Sequence, residues 1–123
     1  MKIFDSNLII YSSQDAFQFL KPIINQPDIY VSEISKLEVL GYHQINLIDK
    51  NYFESQFAVL KIIPIDKSVI DTAIDLRQKK KMSVGDSIIA STALLYDYEL
   101  HTRNTSDFSW IRGLRIVNPF TDL

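Results

Sequence analysis

Short apolar runs alternate along the chain with longer segments in which apolar residues recur every three or four positions. The runs at 3–4, 28–32, 61–65 and 114–117 are typical of short strands, and residues 100–104 begin as a strand and continue into a polar loop. The helical periodicity covers residues 6–13, 14–24, 32–42, 46–60, 67–80 and 84–98. Strands that alternate with helices indicate βα units. We therefore predict one α/β domain over residues 1–123, a three-layer αβα sandwich around a mostly parallel sheet of four to five short strands.

Prolines and capping residues refine this prediction at three places. Pro22 is expected to bend or end the helix predicted over 14–24. Pro64 favours an edge position for the third strand, because proline cannot donate to a neighbouring strand. Asp66 is a good N-cap for the helix that follows it.

Composition excludes several classes of chemistry. There is no cysteine, which removes thiol catalysis, thiolate zinc sites and disulfides and fits the cytoplasm that we expect as location. No apolar stretch approaches the roughly 20 residues of a membrane span, and no signal peptide is expected. The net charge of −2 argues mildly against nucleic-acid binding. If four carboxylates were devoted to a metal, however, the remaining residues would be slightly basic, so net charge decides nothing.

Asp5 is a carboxylate placed between two apolar stretches, which makes its burial costly unless it is paired, hydrogen-bonded or bound to metal. It follows the first strand, just as residues 102–104 follow the fourth. Ligands of parallel sheets lie beyond the carboxyl ends of the strands. Glu38 and Asp86 lie in helices that we expect to begin near the same edge. These positions predict a polar site at that edge.

Each of these acids also has an ordinary structural explanation. Asp5 is placed to cap the next helix, and Asp107 is placed to close a loop turn. Residues 35–38 and 83–86 both match a capping box, in which the fourth side chain returns to the N-cap amide. Taken singly, each acid is better explained by structure than by chemistry.

Taken together, the acids favour a metal site. Glu38 lies beside Ile34 and Leu37, which we expect to be buried, and Asp86 shares a helix face with small residues. Carboxylates in such surroundings repel one another and become protonated unless a cation compensates. Oxygen ligands without cysteine or a histidine pair suit a hard ion such as Mg²⁺ or Mn²⁺.

Four sequence blocks in this order resemble the PIN domain, and more closely the small VapC-type toxins of bacterial toxin–antitoxin pairs. The blocks are FDSNLII, SEISKLEVLGY, SVGDSIIASTAL and LHTRNTSDFSWIRGLRIVNP. The resemblance covers nearly the whole chain. The acidic positions of the family are matched by Asp5, Glu38 and Asp86, with Asn104 and Asp107 competing for the fourth.

The resemblance implies an Mg²⁺- or Mn²⁺-dependent endoribonuclease that is inhibited by a cognate antitoxin and forms a homodimer. The expected metal-binding and catalytic residues are Asp5, Glu38, Asp86 and Asp107. Those expected to orient the carboxylates or water are Ser6, Thr102 and Asn104. The arginines placed to contact RNA phosphates are Arg103 and Arg112. The helices predicted over 14–24 and 46–60 are expected to form an apolar groove for an antitoxin segment.

Some residues depart from the family pattern or have a competing structural explanation. Ser6 stands where threonine is commoner, and Gly85 and Ser87 replace frequent alanines, which we expect to be tolerated. The lysines at 79–81 are better explained by the negative pole of a helix dipole than by RNA binding. Phe108 and Trp110 have aromatic rings of the kind that stack on bases, but core packing explains them better.

Three alternative functions remain open at this stage. A haloacid-dehalogenase-like phosphatase also places an aspartate after its first strand but needs a second one two residues later, where this chain has Asn7. A receiver domain needs a lysine after its last strand, and the segment RIVNPF has none. A non-catalytic module that binds nucleic acid or protein would use the same acids only as caps.

Overall fold

The sheet consists of five short strands that all run parallel. The computed structural model describes residues 1–121, so the last two residues of the predicted domain lie outside the described part. The strands are β1 (Lys2–Phe4), β2 (Ile29–Ser32), β3 (Lys61–Ile63), β4 (Glu99–His101) and β5 (Ile116–Val117). Their order in the sheet is β3-β2-β1-β4-β5. The parallel α/β prediction is confirmed, and so is the edge position expected for the strand before Pro64.

The direction of winding reverses beside β1. Phe4 pairs with Val31 of β2 on one side and with His101 of β4 on the other. The chain builds β2 and β3 outward from one side of β1, and β4 and β5 outward from the other. In open parallel sheets such a reversal leaves a crevice at the carboxyl ends of the two strands concerned. The residues at this crevice are Asp5, after β1, and Thr102, after β4.

Helices cover both faces of the sheet. They are α1 (Ser6–Tyr11), α2 (Leu20–Ile24), α3 (Glu33–Leu40), α4 (Leu47–Val59), α5 (Lys67–Lys79) and α6 (Val84–Tyr96). One core lies under α1, α2 and α4 and is centred on Phe4, Val31 and Phe57. The other lies under α5 and α6 and is centred on Ile3, Ile89 and Leu100. Alternate residues of β1 enter opposite cores, as the pleat of a strand requires.

The continuous helix predicted over 14–24 was wrong. That segment forms a 3₁₀ turn, Asp15–Phe17, and then the short helix α2. Pro22 neither bends nor ends α2, because it is the third residue of the helix, where the backbone N–H has no intrahelical partner to lose. None of the helices within residues 1–121 is long and apolar enough to cross a membrane.

Candidate active site

Asp5 is held in the crevice between β1 and β4. Its backbone N–H donates to the carbonyl of His101 at 3.0 Å, which extends the pairing of the two strands by one residue. Its Oδ2 accepts a hydrogen bond from Thr102 Oγ1 at 2.8 Å. Asp5 occupies the N-cap position of α1, but its side chain makes no capping hydrogen bond. The carboxylate is therefore fixed by the neighbouring strand end rather than used as a cap.

Burial dominates the electrostatics of Asp5, which is only 4% exposed. Loss of solvent raises the pKa of the Asp5 carboxyl, and the charge of Glu38 raises it further. The hydrogen bond from Thr102 and the amides of Ser6 and Asn7 act in the opposite direction. A buried carboxylate with a raised pKa and a second carboxylate nearby is an arrangement that a bound cation would stabilise.

Glu38 reaches the same crevice from α3. Ser6 Oγ lies 2.8 Å from Glu38 Oε1 and 2.8 Å from Ser35 Oγ. Because a carboxylate can only accept, the single hydroxyl proton of Ser6 is directed to Glu38, and the Ser35 hydroxyl is left to donate to Ser6. The chain of contacts Ser35–Ser6–Glu38 joins α1 to α3 and orients the Glu38 carboxylate.

The capping box predicted over 35–38 was wrong. The N-cap of α3 is Ser32, whose side chain accepts from the N–H of Ile34 at 3.2 Å. Ser35 is buried inside the helix instead. Leu37, which we expected to be buried, is 67% exposed. Helical spacing places Ser35 and Glu38 on one face, and this was the signal in the sequence that Ser35 supports the site.

Asp86 comes from the first turn of α6. Its N–H donates to Ser83 Oγ at 3.1 Å, so the N-cap predicted at residue 83 is present. Burial, followed by the charges of Asp5 and Asp107, raises the pKa of the Asp86 carboxyl to about 6, while a hydrogen bond with Ser83 lowers it in part. Three carboxylates far apart in sequence thus influence one another at the first turn of α6.

The two candidates for the fourth acidic position occupy different places. Asp107 ends a 3₁₀ turn, shares a cleft with Asp86 and is near enough to raise its pKa. Asn104 precedes that turn, and its backbone N–H donates to Thr102 Oγ1 at 3.0 Å. Of these two candidates, only Asp107 adds a negative charge near Asp86. Asn104 instead supports the threonine that holds Asp5.

Gly85 was missed as a site residue. A Cβ at this position would lie 2.5 Å from Glu38 Oε2 and 2.9 Å from Oε1. The Glu38 carboxylate therefore occupies the space that any other residue would fill with its side chain. The sequence signal was the departure from alanine directly before Asp86, which we expected to be neutral.

The donor set fits a hard divalent cation, although the carboxylates do not form a ready-made cage. Within residues 1–121 no three acidic or histidine side chains are gathered closely enough to hold an ion as they stand. Two of the carboxylates are turned to protein donors, Asp5 to Thr102 and Glu38 to Ser6. All four acids are nevertheless linked by mutual repulsion, and their ligand atoms are all oxygens, the type that Mg²⁺ and Mn²⁺ prefer.

The two arginines considered for phosphate binding lie apart from each other. The Arg103 guanidinium is 4.4 Å from the ring centroid of Phe120 and 5.4 Å from those of Tyr11 and Phe17. Cation–π attraction accounts for its position. Arg112 lines a separate cleft.

His101 is buried and stacks on Phe4 with ring centroids 5.4 Å apart. Its Nδ1 is the only buried side-chain nitrogen or oxygen among residues 1–121 without a hydrogen-bond partner. Burial is the main reason that the His101 pKa is lowered. The ring is therefore neutral at pH 7 and packs as part of the core.

Comparisons with known proteins agree with this architecture. The family model of the PIN domain matches residues 2–113. No curated protein matches the chain significantly. A toxin–antitoxin complex from Klebsiella pneumoniae contains a chain 31% identical to this one, with a TM-score of 0.75 and coverage of 97% of this chain and 98% of that one.

More distant solved structures share the fold. A chain of DNA-bound VapBC from Salmonella typhimurium aligns with a TM-score of 0.81 at 18% identity, covering 94% of this chain and 96% of that one. A chain of FitAcB from Neisseria gonorrhoeae aligns with a TM-score of 0.76 at 23% identity, covering 98% and 99%. These findings favour neither the phosphatase nor the receiver alternative. The chain belongs to the PIN domain family, whose members are generally nucleases.

Proposed function

We propose that this protein is an Mg²⁺- or Mn²⁺-dependent endoribonuclease that hydrolyses RNA phosphodiester bonds, and that it is the toxin of a toxin–antitoxin pair. The observation that carries the proposal is that four carboxylates are linked by repulsion around the buried Asp5: Glu38 acts on Asp5, and Asp5 and Asp107 act on Asp86. Two of them have raised pKa values for which burial and mutual repulsion are responsible. Repulsion of this kind costs stability and is retained where a cation relieves it.

The residues that would hold the ion are Asp5, Glu38, Asp86 and Asp107. When bound, such an ion supplies a more acidic water and neutralises charge that develops on the phosphate. One of the four carboxylates accepts a proton from the attacking water as its oxygen bonds to phosphorus. The bond from phosphorus to the leaving ribose oxygen breaks, and that oxygen takes up a proton from solvent. Thr102 and Ser6 orient Asp5 and Glu38 through the hydrogen bonds described above.

An antitoxin as partner is supported by the toxin–antitoxin complex that contains the 31% identical chain. The face expected to receive it carries exposed apolar side chains on α4, with Leu47 70% and Ile48 82% exposed. A cleft of about 300 Å³ runs between the end of α1, α3 and α4 and includes Glu38 in its lining. A segment bound there would reach the edge of the candidate active site.

A homodimer is supported by a second apolar surface, on α5 and α6. Ile70, Ile74 and Val84 are each at least 41% exposed and line one groove of about 500 Å³. We propose that a second copy of the chain covers this groove, and light scattering of the purified protein tests it. A cytoplasmic location follows from the proposed RNA substrate and fits the absence of cysteine.

The decisive experiment incubates the purified chain with structured RNAs in Mn²⁺, in Mg²⁺ and in a chelator. We expect cleavage in the presence of either ion and none in the chelator. Asp5→Asn and Asp86→Asn should each abolish cleavage while circular dichroism remains that of a folded protein. Full metal-dependent activity in both variants would remove these residues from the mechanism. Binding of RNA without cleavage under every condition would favour the non-catalytic module.

A further inference from the structure

A cleft beside the candidate active site combines acidic and basic walls. It has a volume of about 500 Å³, and its lining includes the acids Asp86 and Asp107 together with Arg77, Lys80 and Lys81, which we call its basic wall. Among residues 1–121, none of these three cations lies within 4 Å of a carboxylate as an ion pair. The basic wall therefore keeps its positive charge available although two carboxylates share the cleft.

The three consecutive lysines, which the sequence assigned to the negative pole of a helix dipole, have different positions in the structure. Lys79 is the last residue of α5 and fits that role. Lys80 has an extended backbone, with φ −157° and ψ 147°, and ends the helix. Lys81 lies beyond it. Both of these side chains are exposed and line the cleft rather than the helix end.

Trp110 joins the basic wall to the acidic loop. Lys80 Nζ lies 5.6 Å from the centroid of the indole ring. The indole Nε1 donates to the backbone carbonyl of Asp107 at 3.0 Å. The ring is only partly buried, so core packing does not account for all of it. The ring also lines a second cleft of about 460 Å³, together with Lys79, Arg112 and one acid, Asp75.

We propose that these two clefts form one binding track for single-stranded RNA that leads to the carboxylates. Phosphates of the strand lie on Lys80 and Lys81, a base stacks on the partly exposed face of Trp110, and Lys79 and Arg112 receive the next phosphate. A cationic groove with an aromatic platform is the general solution for single strands, because every base has a face that can stack. The inference rests on the proposed ribonuclease function and assigns the surface of this chain along which the strand reaches the carboxylates.

The test measures binding without cleavage, in the Asp86→Asn variant. Trp110 is the only tryptophan of the chain, so its fluorescence reports on a base stacked at that position. A labelled oligouridylate gives the affinity independently, by anisotropy. Lys80→Ala and Lys81→Ala are combined in this background. The charge-matched control combines Lys21→Ala and Lys50→Ala, which lie on α2 and α4 over the opposite face of the sheet.

We expect the oligouridylate to quench Trp110 and to bind in a salt-dependent manner. For single strands each phosphate contact contributes about 0.7 to the slope of log affinity against log salt. When salt rises from about 50 to about 200 mM, the affinity falls by a certain factor. Loss of two contacts in the Lys80→Ala, Lys81→Ala variant should make that factor about sevenfold smaller. The Lys21, Lys50 control should keep the original slope. Duplex RNA should bind more weakly than the single strand.

Three results would overturn the track. The first is a slope of log affinity against log salt that is the same for the Lys80→Ala, Lys81→Ala variant and for the control. The others are RNA binding that leaves Trp110 fluorescence unchanged, and duplex RNA that binds more tightly than the single strand. If the wild-type protein cleaves RNA while any of these results is obtained, the track alone is wrong. If the wild-type protein does not cleave RNA and the Asp86→Asn variant does not bind it, the ribonuclease function is wrong as well.

Discussion

The Glu38 carboxylate lies directly against the backbone of Gly85, and no Cβ would fit between them. A Cβ built at position 85 would approach the Glu38 carboxyl carbon to 2.8 Å. Gly85 belongs to the first turn of α6 and Glu38 to α3, so the glycine allows the Glu38 carboxylate to pack against the start of α6. Glycine normally weakens a helix by about 1 kcal/mol relative to alanine. The close approach of the carboxylate is a physical reason to tolerate that cost.

The contact predicts coupling between residues 38 and 85. In the wild-type background Gly85→Ala should leave the free energy of unfolding unchanged or lower it, because the gain in helix propensity is offset by displacement of Glu38 and loss of its hydrogen bond with Ser6. In a Glu38→Ala background the same change should stabilise the fold by up to about 1 kcal/mol. Urea denaturation of the four proteins without metal measures this cycle. An equal effect of Gly85→Ala in both backgrounds would contradict the contact.

Removing one repelling carboxylate should stabilise the metal-free protein. Asp86→Asn is expected to raise the melting temperature in a chelator, because Asp5 and Asp107 no longer face a third charge. The wild-type protein should gain stability on addition of Mn²⁺, and the variant should gain much less. Thermal melts with and without Mn²⁺ measure both effects. Asp75→Asn, an exposed carboxylate on α5, is the control and should behave as wild type.

The raised pKa of Asp86 also predicts how the stability of the metal-free protein depends on pH. This pKa is raised from 3.8 to about 6, so between these values the folded protein binds more protons than the unfolded chain. The contribution of this group is therefore a penalty that is full above pH 6 and disappears as the pH falls toward 4. The stability difference between Asp86→Asn and wild type should shrink over the same interval. A difference that does not change between pH 7 and pH 4.5 would show that Asp86 is not perturbed.

Thr102→Val should destabilise the protein by about 1–3 kcal/mol, because it leaves the buried Asp5 carboxylate without its side-chain donor and the Asn104 N–H without its acceptor. The shape of the side chain is nearly preserved. Thr92→Val is the matched control: this hydroxyl is equally buried but donates to the Ile88 carbonyl within α6. Chemical denaturation compares the two. Equal losses would mean that the hydrogen bond to Asp5 has no special value.

The fourth acidic position can be decided by metal binding. Asp107→Asn should weaken the affinity for Mn²⁺ by about tenfold or more, because it removes a carboxylate ligand. Asn104→Ala should have a smaller effect, since Asn104 contacts Thr102 through its backbone N–H, which the substitution retains. Calorimetric titration with Mn²⁺ measures both. A larger loss for Asn104→Ala would reverse the assignment.

Local patterns in the sequence determined the elements and several of their ends. Apolar periodicity identified the five strands and the helices α3 to α6 to within a few residues, because it reflects burial on one face of each element. Asp66 and Ser83 cap the helices that they were predicted to cap. Capping depends on atoms three residues apart, and such contacts can be inferred from spacing alone. The parallel direction of the strands followed from the alternation of strands and helices, and the PIN family likeness followed from the four sequence blocks.

Tertiary structure decided which polar residues meet. Ser6 contacts residues 29 and 32 positions away, and Thr102 contacts Asp5 across 97 positions. No local spacing encodes such contacts, so Ser35 was predicted to be a cap and Gly85 a neutral replacement. The placement of Lys80 and Lys81 beside the acids likewise depends on where α5 ends against the loop of Trp110. Helices, strands and caps depend on residues that are close together in the sequence, so the sequence alone determines them. The candidate site depends on how β1, α3, α6 and the last loop pack against one another, which only the tertiary structure decides.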